Sequence, residues 1–283
     1  MKIKEALQIV GEQFNDAGFS DSQLEAEVLV RHILRIDRAY LFRDLEENLI
    51  QADWVYLDSL VKRRLEHEPL SYITGTKEFY GLDLVITEDV LIPRQETELL
   101  VEVVISVAMS RSHDLINIAD VGTGSGAIAI AVAKNLPLAQ IVAVDISQPA
   151  LEVADINRRK HGVCDQVHLC QGNLLEPITG AVDIIVSNPP YLRKGSIEFL
   201  QKEVRSEPRI ALDGGSDGLD VIRELLSQSA SKLKSPGVFL FEVDTTHISD
   251  ALNLAETFFP AASVAALMDA SGSNRAILID LKA

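Results

Sequence analysis

Asn188-Pro189-Pro190-Tyr191 follows directly on the apolar run VDIIVS, residues 182–187. An asparagine side chain carries one carbonyl acceptor and one amide donor group. Neither proline has an N–H, and both have φ fixed. Pro189 also biases Asn188 away from the helical region. The segment is therefore stiff, its carbonyls point in set directions, and Tyr191 adds a flat face for a planar group. Such a set suits chemistry at a planar nitrogen, an amide or an exocyclic amine, whose lone pair is delocalised as in a peptide bond. Acceptors at both N–H groups would favour a pyramidal nitrogen and stabilise the positive charge that develops on it. The Asn188 side-chain oxygen and the Pro189 carbonyl are the natural pair. No ionised base is needed before attack, because the product can lose its proton afterwards. Pro-Pro alone also reads as a turn closing a strand, so its neighbours decide.

The first neighbour is ADVGTGSGAIA, where Gly122, Thr123, Gly124, Ser125 and Gly126 lie between an apparent strand and an apparent helix. Glycine lets backbone approach a ligand where a Cβ would collide, and a helix start offers unpaired N–H groups. A tight turn explains G-x-G-x-G by itself; its place between strand and helix strengthens the ligand reading. Asp145 ends the next apolar run, QIVAVD, and a carboxylate there can accept both hydroxyls of an adenosine ribose. Dinucleotide oxidoreductases and S-adenosylmethionine methyltransferases share this layout. The dinucleotide spacing is G-x-G-x-x-G; here it is G-T-G-S-G, with Asp120 two residues ahead of the first glycine. In methyltransferases that acid faces the amino-acid end of the cofactor, and this chain is closer to their form. Tyr191 would then hold the flat acceptor group in line with a sulfonium methyl.

These residues must be positioned by regular elements. Residues 1–71 read as a helical domain. IKEALQIVGEQFNDAG spaces Ile3, Leu7, Val10 and Phe14 along one face, SDSQLEAEVLVRHILR opens on a candidate serine cap, and QADWVYLDSLVKRRLEHE stops at Pro69. Residues 72–92 alternate and carry turn glycines, as a β-hairpin linker does. Residues 93–283 open with a helix, ETELLVEVVISVAMSR, and then alternate strands and helices. The strands read are LINIADV, QIVAVDI, QVHLCQ, VDIIVS, GVFLFEV and RAILIDLK. The expected fold is α/β, a mostly parallel Rossmann-like sheet covered on both faces, with ligands at the carboxyl ends of its strands.

Composition narrows the partners. The formal charge of −16 opposes a nucleic-acid partner and suits a basic protein. No apolar run reaches the roughly 20 residues of a membrane span. The N-terminus lacks a secretory h-region, and Cys164 and Cys170 make no disulfide framework, so a cytoplasmic protein is expected. His32, His67, His113, His161, His168 and His247 are scattered, and no metal is expected.

The motifs together resemble the class I S-adenosylmethionine-dependent methyltransferases, and N-P-P-Y those that methylate amide or exocyclic nitrogens. YITGTKEFYGLDLVITEDVLIPRQETELLV (72–101), the glycine loop, VDISQPALEVADINRRKHG, NPPYL and EVRSEPRIALDGGSDGLDVIREL (203–225) are similar to signature blocks of the HemK-type glutamine methyltransferases. The resemblance runs from about residue 70 to the end. It implies an N(5)-glutamine methyltransferase of peptide chain release factors, acting on the glutamine of their Gly-Gly-Gln loop and supporting translation termination. It implies seven strands in the main sheet, S-adenosyl-L-methionine as cofactor with S-adenosyl-L-homocysteine as product, and a monomer without direct nucleic-acid contact. By position, Gly122 to Gly126, Asp145 and Asn188 bind the cofactor, and Asn173 and Leu174 flank its adenine. Asn188, Pro189, Pro190 and Tyr191 hold the glutamine, with Asn188, Pro189 and Tyr191 as the catalytic set. Arg94 and Glu96 line or brace the pocket, and the helical domain recognises the release factor.

The chain departs from the family pattern in places. Gln95 stands where the linker signature has proline, Asn173 where an acid is usual, Asp244 where glycine is favoured and His247 where glutamine is. A glutamine methyltransferase of a ribosomal protein would share the same catalytic residues. A DNA or RNA amino-methyltransferase also uses N-P-P-Y, but the acidic charge and the lack of a basic recognition domain oppose it.

Overall fold

A computed structural model of the chain describes residues 1–110 and 115–282. Contacts divide it into two units, Met1–Gly75 with Lys202–Ser206, and Thr76–Gln201 with Glu207–Ala283.

In the first unit, α1 (Ile3–Asp16) buries Ile3, Ala6, Leu7, Val10 and Phe14, one face at helical spacing. The Glu5 carboxylate accepts the Lys2 N–H at 2.9 Å, satisfying a donor at the helix start. α2 (Ser22–Leu34) turns Ala26, Leu29 and Val30 inward; it starts after Asp21 and ends at Arg35 in the left-handed region. α3 (Arg38–Arg43) was not expected; Asp37 caps it by accepting the Tyr40 N–H at 2.8 Å. α4 (Gln51–Leu65) stops before Pro69, since His67 takes a φ of +67°. α5 (Leu70–Thr74) follows Pro69 and ends at Gly75, so residues 72–74 are helical and the hairpin begins later than expected. The short helix Lys202–Arg205 belongs to this unit. Its Glu203 accepts from Arg64 Nη1 at 3.1 Å, while Arg64 Nε and Nη2 donate to Glu25 at 2.6 and 3.0 Å. The buried Arg64 guanidinium, 4.1 Å above the Phe19 ring, is thus paired on both sides, which a buried charge requires.

In the second unit, β1 (Thr76–Phe79) and β2 (Leu82–Val85) form the antiparallel hairpin. α6 (Glu98–Ser110) follows a single 3-10 turn at Gln95–Thr97; the expected last residue of this helix, Arg111, and His113 lie outside the described residues. Then come β3 (Ile116–Val121), α7 (Ala127–Asn135), β4 (Ala139–Asp145), α8 (Gln148–Lys160), β5 (Val167–Gln171) and β6 (Val182–Ser187). α9 (Asp220–Ser229), β7 (Leu233–Glu242), α10 (Ile248–Phe258), β8 (Ser263–Met268) and β9 (Asn274–Leu281) complete it. The main sheet has seven strands in the order β5-β4-β3-β6-β7-β9-β8, parallel except where β9 pairs with β7 and β8. The order reverses between β3 and β6, which is where open α/β sheets bind ligands. β3 and β6 are in register at Val121 and Ser187, so Gly122 and Asn188 leave the sheet side by side. Both strands are almost wholly buried, which a parallel sheet covered on two faces dictates.

Among the described residues no helix is long and apolar enough to cross a membrane, and no three His, Cys, Asp or Glu side chains converge as metal ligands. Cys170 is half-buried in β5, whereas Cys164 is exposed.

Candidate active site

A cavity of about 530 Å³ opens at the carboxyl ends of β3, β4 and β6, with Gly122, Gly124, Ile146, Asn173, Asn188 and Pro190 in its wall. Gly122 and Gly124 have φ of +72° and +55°, the left-handed region that glycine tolerates. A Cβ on Gly124 would meet no protein atom within 4 Å, and one on Gly122 only the Asn188 carbonyl oxygen at 3.9 Å. Bare backbone here faces room that a ligand would fill.

The loop is held from behind. Gly122 and Thr123 donate to the Val144 carbonyl at 2.8 and 3.0 Å. Thr123 and Ser125 are buried and do not line the cavity. Thr123 Oγ1 donates to Asp120 Oδ2 at 2.6 Å, and the Ala129 N–H donates to the same oxygen at 3.1 Å. Asn157 of α8 is wholly buried. Its Nδ2 donates to the carbonyls of Ser125 and Val85 at 2.9 Å each, and its Oδ1 accepts the Val85 N–H at 2.7 Å. One amide thereby ties the hairpin to the glycine loop.

Asp120 does not line the cavity; it lies wholly buried beneath the loop, and its Oδ1 has no hydrogen-bond partner among the described residues. Burial pushes its carboxyl up to about 6 from 3.8. Native Asp120 therefore holds its proton where the unfolded chain has lost it, so its contribution to stability falls as pH rises from about 4 through about 6. At 1.36 kcal/mol per unit the loss is at most about 3 kcal/mol. Asp120→Asn should escape it. Melting curves of the cofactor-free protein should show the variant gaining on wild type across that window, and a constant difference would contradict the assignment.

Asp145 ends β4 and accepts Gly124 N–H at Oδ2 (2.8 Å) and Ser147 N–H at Oδ1 (2.9 Å). Burial pushes this carboxyl up, and the N–H groups of Ser147, Gly124 and Ile146 pull it back. A carboxylate has about four acceptor positions, so these three N–H groups do not exhaust it. The fit to an adenosine cofactor is therefore good: bare glycine backbone, a carboxylate at the end of β4 with acceptor capacity left, and the apolar Ile146 and Leu174 in the wall.

Asn173 and Leu174 lie in the wall. Asn173 Nδ2 donates to Glu224 Oε1 at 2.7 Å, so acids meet this residue even though none stands at its position. Leu174 has a φ of +49°. Pro190 is in the wall, whereas Pro189 is buried behind it. Tyr191 is partly buried against the apolar core, and its hydroxyl donates to Glu242 Oε1 at 3.1 Å. Arg94 forms an ion pair with the buried Glu207, whose Oε2 also accepts the Ile92 N–H at 3.2 Å. Arg94 thus braces the stretch Pro208–Ala211, which lines the cavity. Glu96 is not in this wall; it is exposed and lines a separate groove with Glu98, Glu102 and Asp269.

The block after N-P-P-Y packs directly on it. Leu192 donates to the Leu212 carbonyl at 3.0 Å, and Gly214 donates back to the Leu192 carbonyl at 2.8 Å. A Cβ on Gly214 would lie 2.8 Å from both the Pro190 oxygen and Tyr191 Cα, so only glycine lets the strands of chain approach.

The sequence reading missed Thr97, Asn157, Glu207 and Glu242. Glu242 carried a signal: a carboxylate closing the apolar run GVFLFE at a strand's carboxyl end. Thr97 lay inside the linker block without any mark of its own.

Residues 5–75 match the family model described as PrmC N-terminal domain, and residues 95–205 that of the methyltransferase small domain. The chain is 40% identical over 280 residues to a release factor glutamine methyltransferase of Moorella thermoacetica, covering 98% of each chain. It is 44% identical over 227 residues to one of Geobacter sulfurreducens, covering 80% of this chain and 78% of that one. A T. thermophilus 16S rRNA N2 G1207 methyltransferase, solved with AdoMet and guanosine, superposes with a TM-score of 0.52 at 16% identity. The match covers 73% of this chain and 50% of that one and reflects a shared fold.

Proposed function

The chain belongs to the release factor glutamine methyltransferase family, and from that premise we propose that its cavity carries out methyl transfer to the side-chain amide nitrogen of the glutamine in the Gly-Gly-Gln motif of peptide chain release factors. Gly122 to Gly126, Asp145, Asn173 and Leu174 would hold S-adenosyl-L-methionine, which would supply an electrophilic methyl group, with S-adenosyl-L-homocysteine as the product. The observation that carries the reading is the side-by-side exit of Gly122 and Asn188 from adjacent strands. It supports reading the glycine loop as a methyl-donor cradle beside the amide acceptors of the N-P-P-Y segment.

Asn188 Oδ1 and the Pro189 carbonyl accept the two amide N–H groups of the glutamine. They localise its nitrogen lone pair and oppose the positive charge that grows as the N–CH3 bond forms. The amide proton leaves to solvent after transfer, so no buried base is required. Pro190 and Tyr191 shape the slot, and Arg94 with Glu207 holds its far wall. Residues 1–71 serve release-factor recognition, with exposed Tyr40, Phe42, Ile50, Val55 and Tyr56 available for contact. Release factors act on the ribosome, which puts the enzyme in the cytoplasm.

The test presents purified release factor, ribosomal proteins and DNA in parallel to the enzyme and S-adenosyl-L-methionine carrying a labelled methyl. Label should enter the release factor. Label confined to a ribosomal protein or DNA would overturn the reading.

A further inference from the structure

We propose that Thr97 and Glu242 form a two-residue relay that sets which end of the Asn188 amide faces the substrate, acting as positioning residues for the transfer. The proposal rests on the function above and deepens it.

Glu242 closes β7 and is 1% exposed. Each of its oxygens meets one hydroxyl: Thr97 Oγ1 lies 2.7 Å from Oε2, and Tyr191 OH 3.1 Å from Oε1. Thr97 Oγ1 in turn lies 3.1 Å from Asn188 Nδ2. These contacts bring together residues from the 3-10 turn before α6, from the segment after β6 and from the end of β7.

The directions follow from proton counting. Burial pushes the Glu242 carboxyl up, while Thr97, Tyr191 and Arg275 pull it back; in its ionised form it can only accept, so both hydroxyls donate to it. A hydroxyl has one proton, and that of Thr97 is spent on Glu242. Thr97 Oγ1 can then only accept from Asn188, and only the Nδ2 end of the amide has protons to give. Nδ2 is thereby held toward Thr97, and Oδ1 is left for the cavity wall, as the acceptor a substrate N–H needs. An amide turned end for end would put two donors face to face at the reacting nitrogen and lose the acceptor. A buried carboxylate is costly to keep. Here its two hydroxyl partners serve the N-P-P-Y segment at both ends, Asn188 through Thr97 and Tyr191 directly.

The test compares Thr97→Val, which keeps shape and removes the hydroxyl, with Thr97→Ser, which keeps the hydroxyl. Thr97→Val should lower kcat roughly ten- to a hundredfold, the scale of a misplaced catalytic group. KM for release factor and Kd for S-adenosyl-L-methionine should stay near wild type, and Thr97→Ser should retain near-normal kcat. A second readout uses the wild-type protein without cofactor. The Asn188 side-chain NH2 protons should show a nuclear Overhauser contact to the Thr97 γ-methyl. Wild-type kcat in Thr97→Val, equal losses in both variants, or no such contact would overturn the relay. If wild-type enzyme fails to methylate release factor, the functional reading fails instead, and the NMR contact still decides the relay.

Discussion

Asn188→Ala should reduce methyl transfer to release factor by roughly a hundred- to a thousandfold in kcat, the scale of removing one fixed group that opposes transition-state charge. Asn188 lies in the cavity wall, and its Nδ2 donates to Thr97 Oγ1 at 3.1 Å. Its loss removes an acceptor and leaves the Thr97 and Glu242 pair in place. In the proposed function the glycine loop and Asp145 hold the cofactor, so calorimetry should find its affinity within a few fold of wild type. Undiminished turnover in the variant would remove Asn188 from the chemistry. Lost turnover together with lost cofactor affinity would move its role to cofactor binding.

Asp145→Ala should act on the opposite ligand. Hydrogen bonds to a charged group contribute roughly 1.5–3 kcal/mol each, and the proposed cofactor site gives this carboxylate two ribose hydroxyls. The two backbone donors that it now accepts, from Gly124 and Ser147, also lose their partner. Affinity for S-adenosyl-L-methionine should fall about a hundredfold or more, read by calorimetry, while kcat at saturating cofactor changes far less. Unchanged affinity would leave Asp145 as a brace of the glycine loop and nothing else.

Much of the second unit was legible because its signals are local. LINIADV, QIVAVDI and VDIIVS are short, apolar and bounded by turn residues, and each became a strand of the sheet. SVAALM was not read as a strand. Its alanines carry little β preference, and as β8 it is an edge strand with three exposed positions. YITG read as β because Tyr, Ile and Thr favour strands, yet Pro69 and Gly75 bracket a single helical turn there. α3 is six residues long, too short for periodicity to show.

The site divides the same way. G-T-G-S-G and N-P-P-Y stand out because glycine and proline constrain backbone directly, and the fold brings them together at the switch point. Asp120 was expected to face a ligand, but its position at the end of β3 turns it under the loop instead. Glu96 and Glu207 show the limit most plainly. Nothing in the residue types tells that Arg94 pairs with an acid 113 positions away and not with its near neighbour. The Thr97 to Glu242 bond spans 145 positions and depends wholly on tertiary packing.

The most direct measurement of the central claim is fragment mass spectrometry of release factor recovered after incubation with the enzyme and S-adenosyl-L-methionine. The account predicts a single added methyl on the side chain of the Gly-Gly-Gln glutamine, present with wild type and nearly absent with Asn188→Ala. A methyl on any other residue, or an unmodified release factor under conditions where the enzyme binds its cofactor, would contradict it.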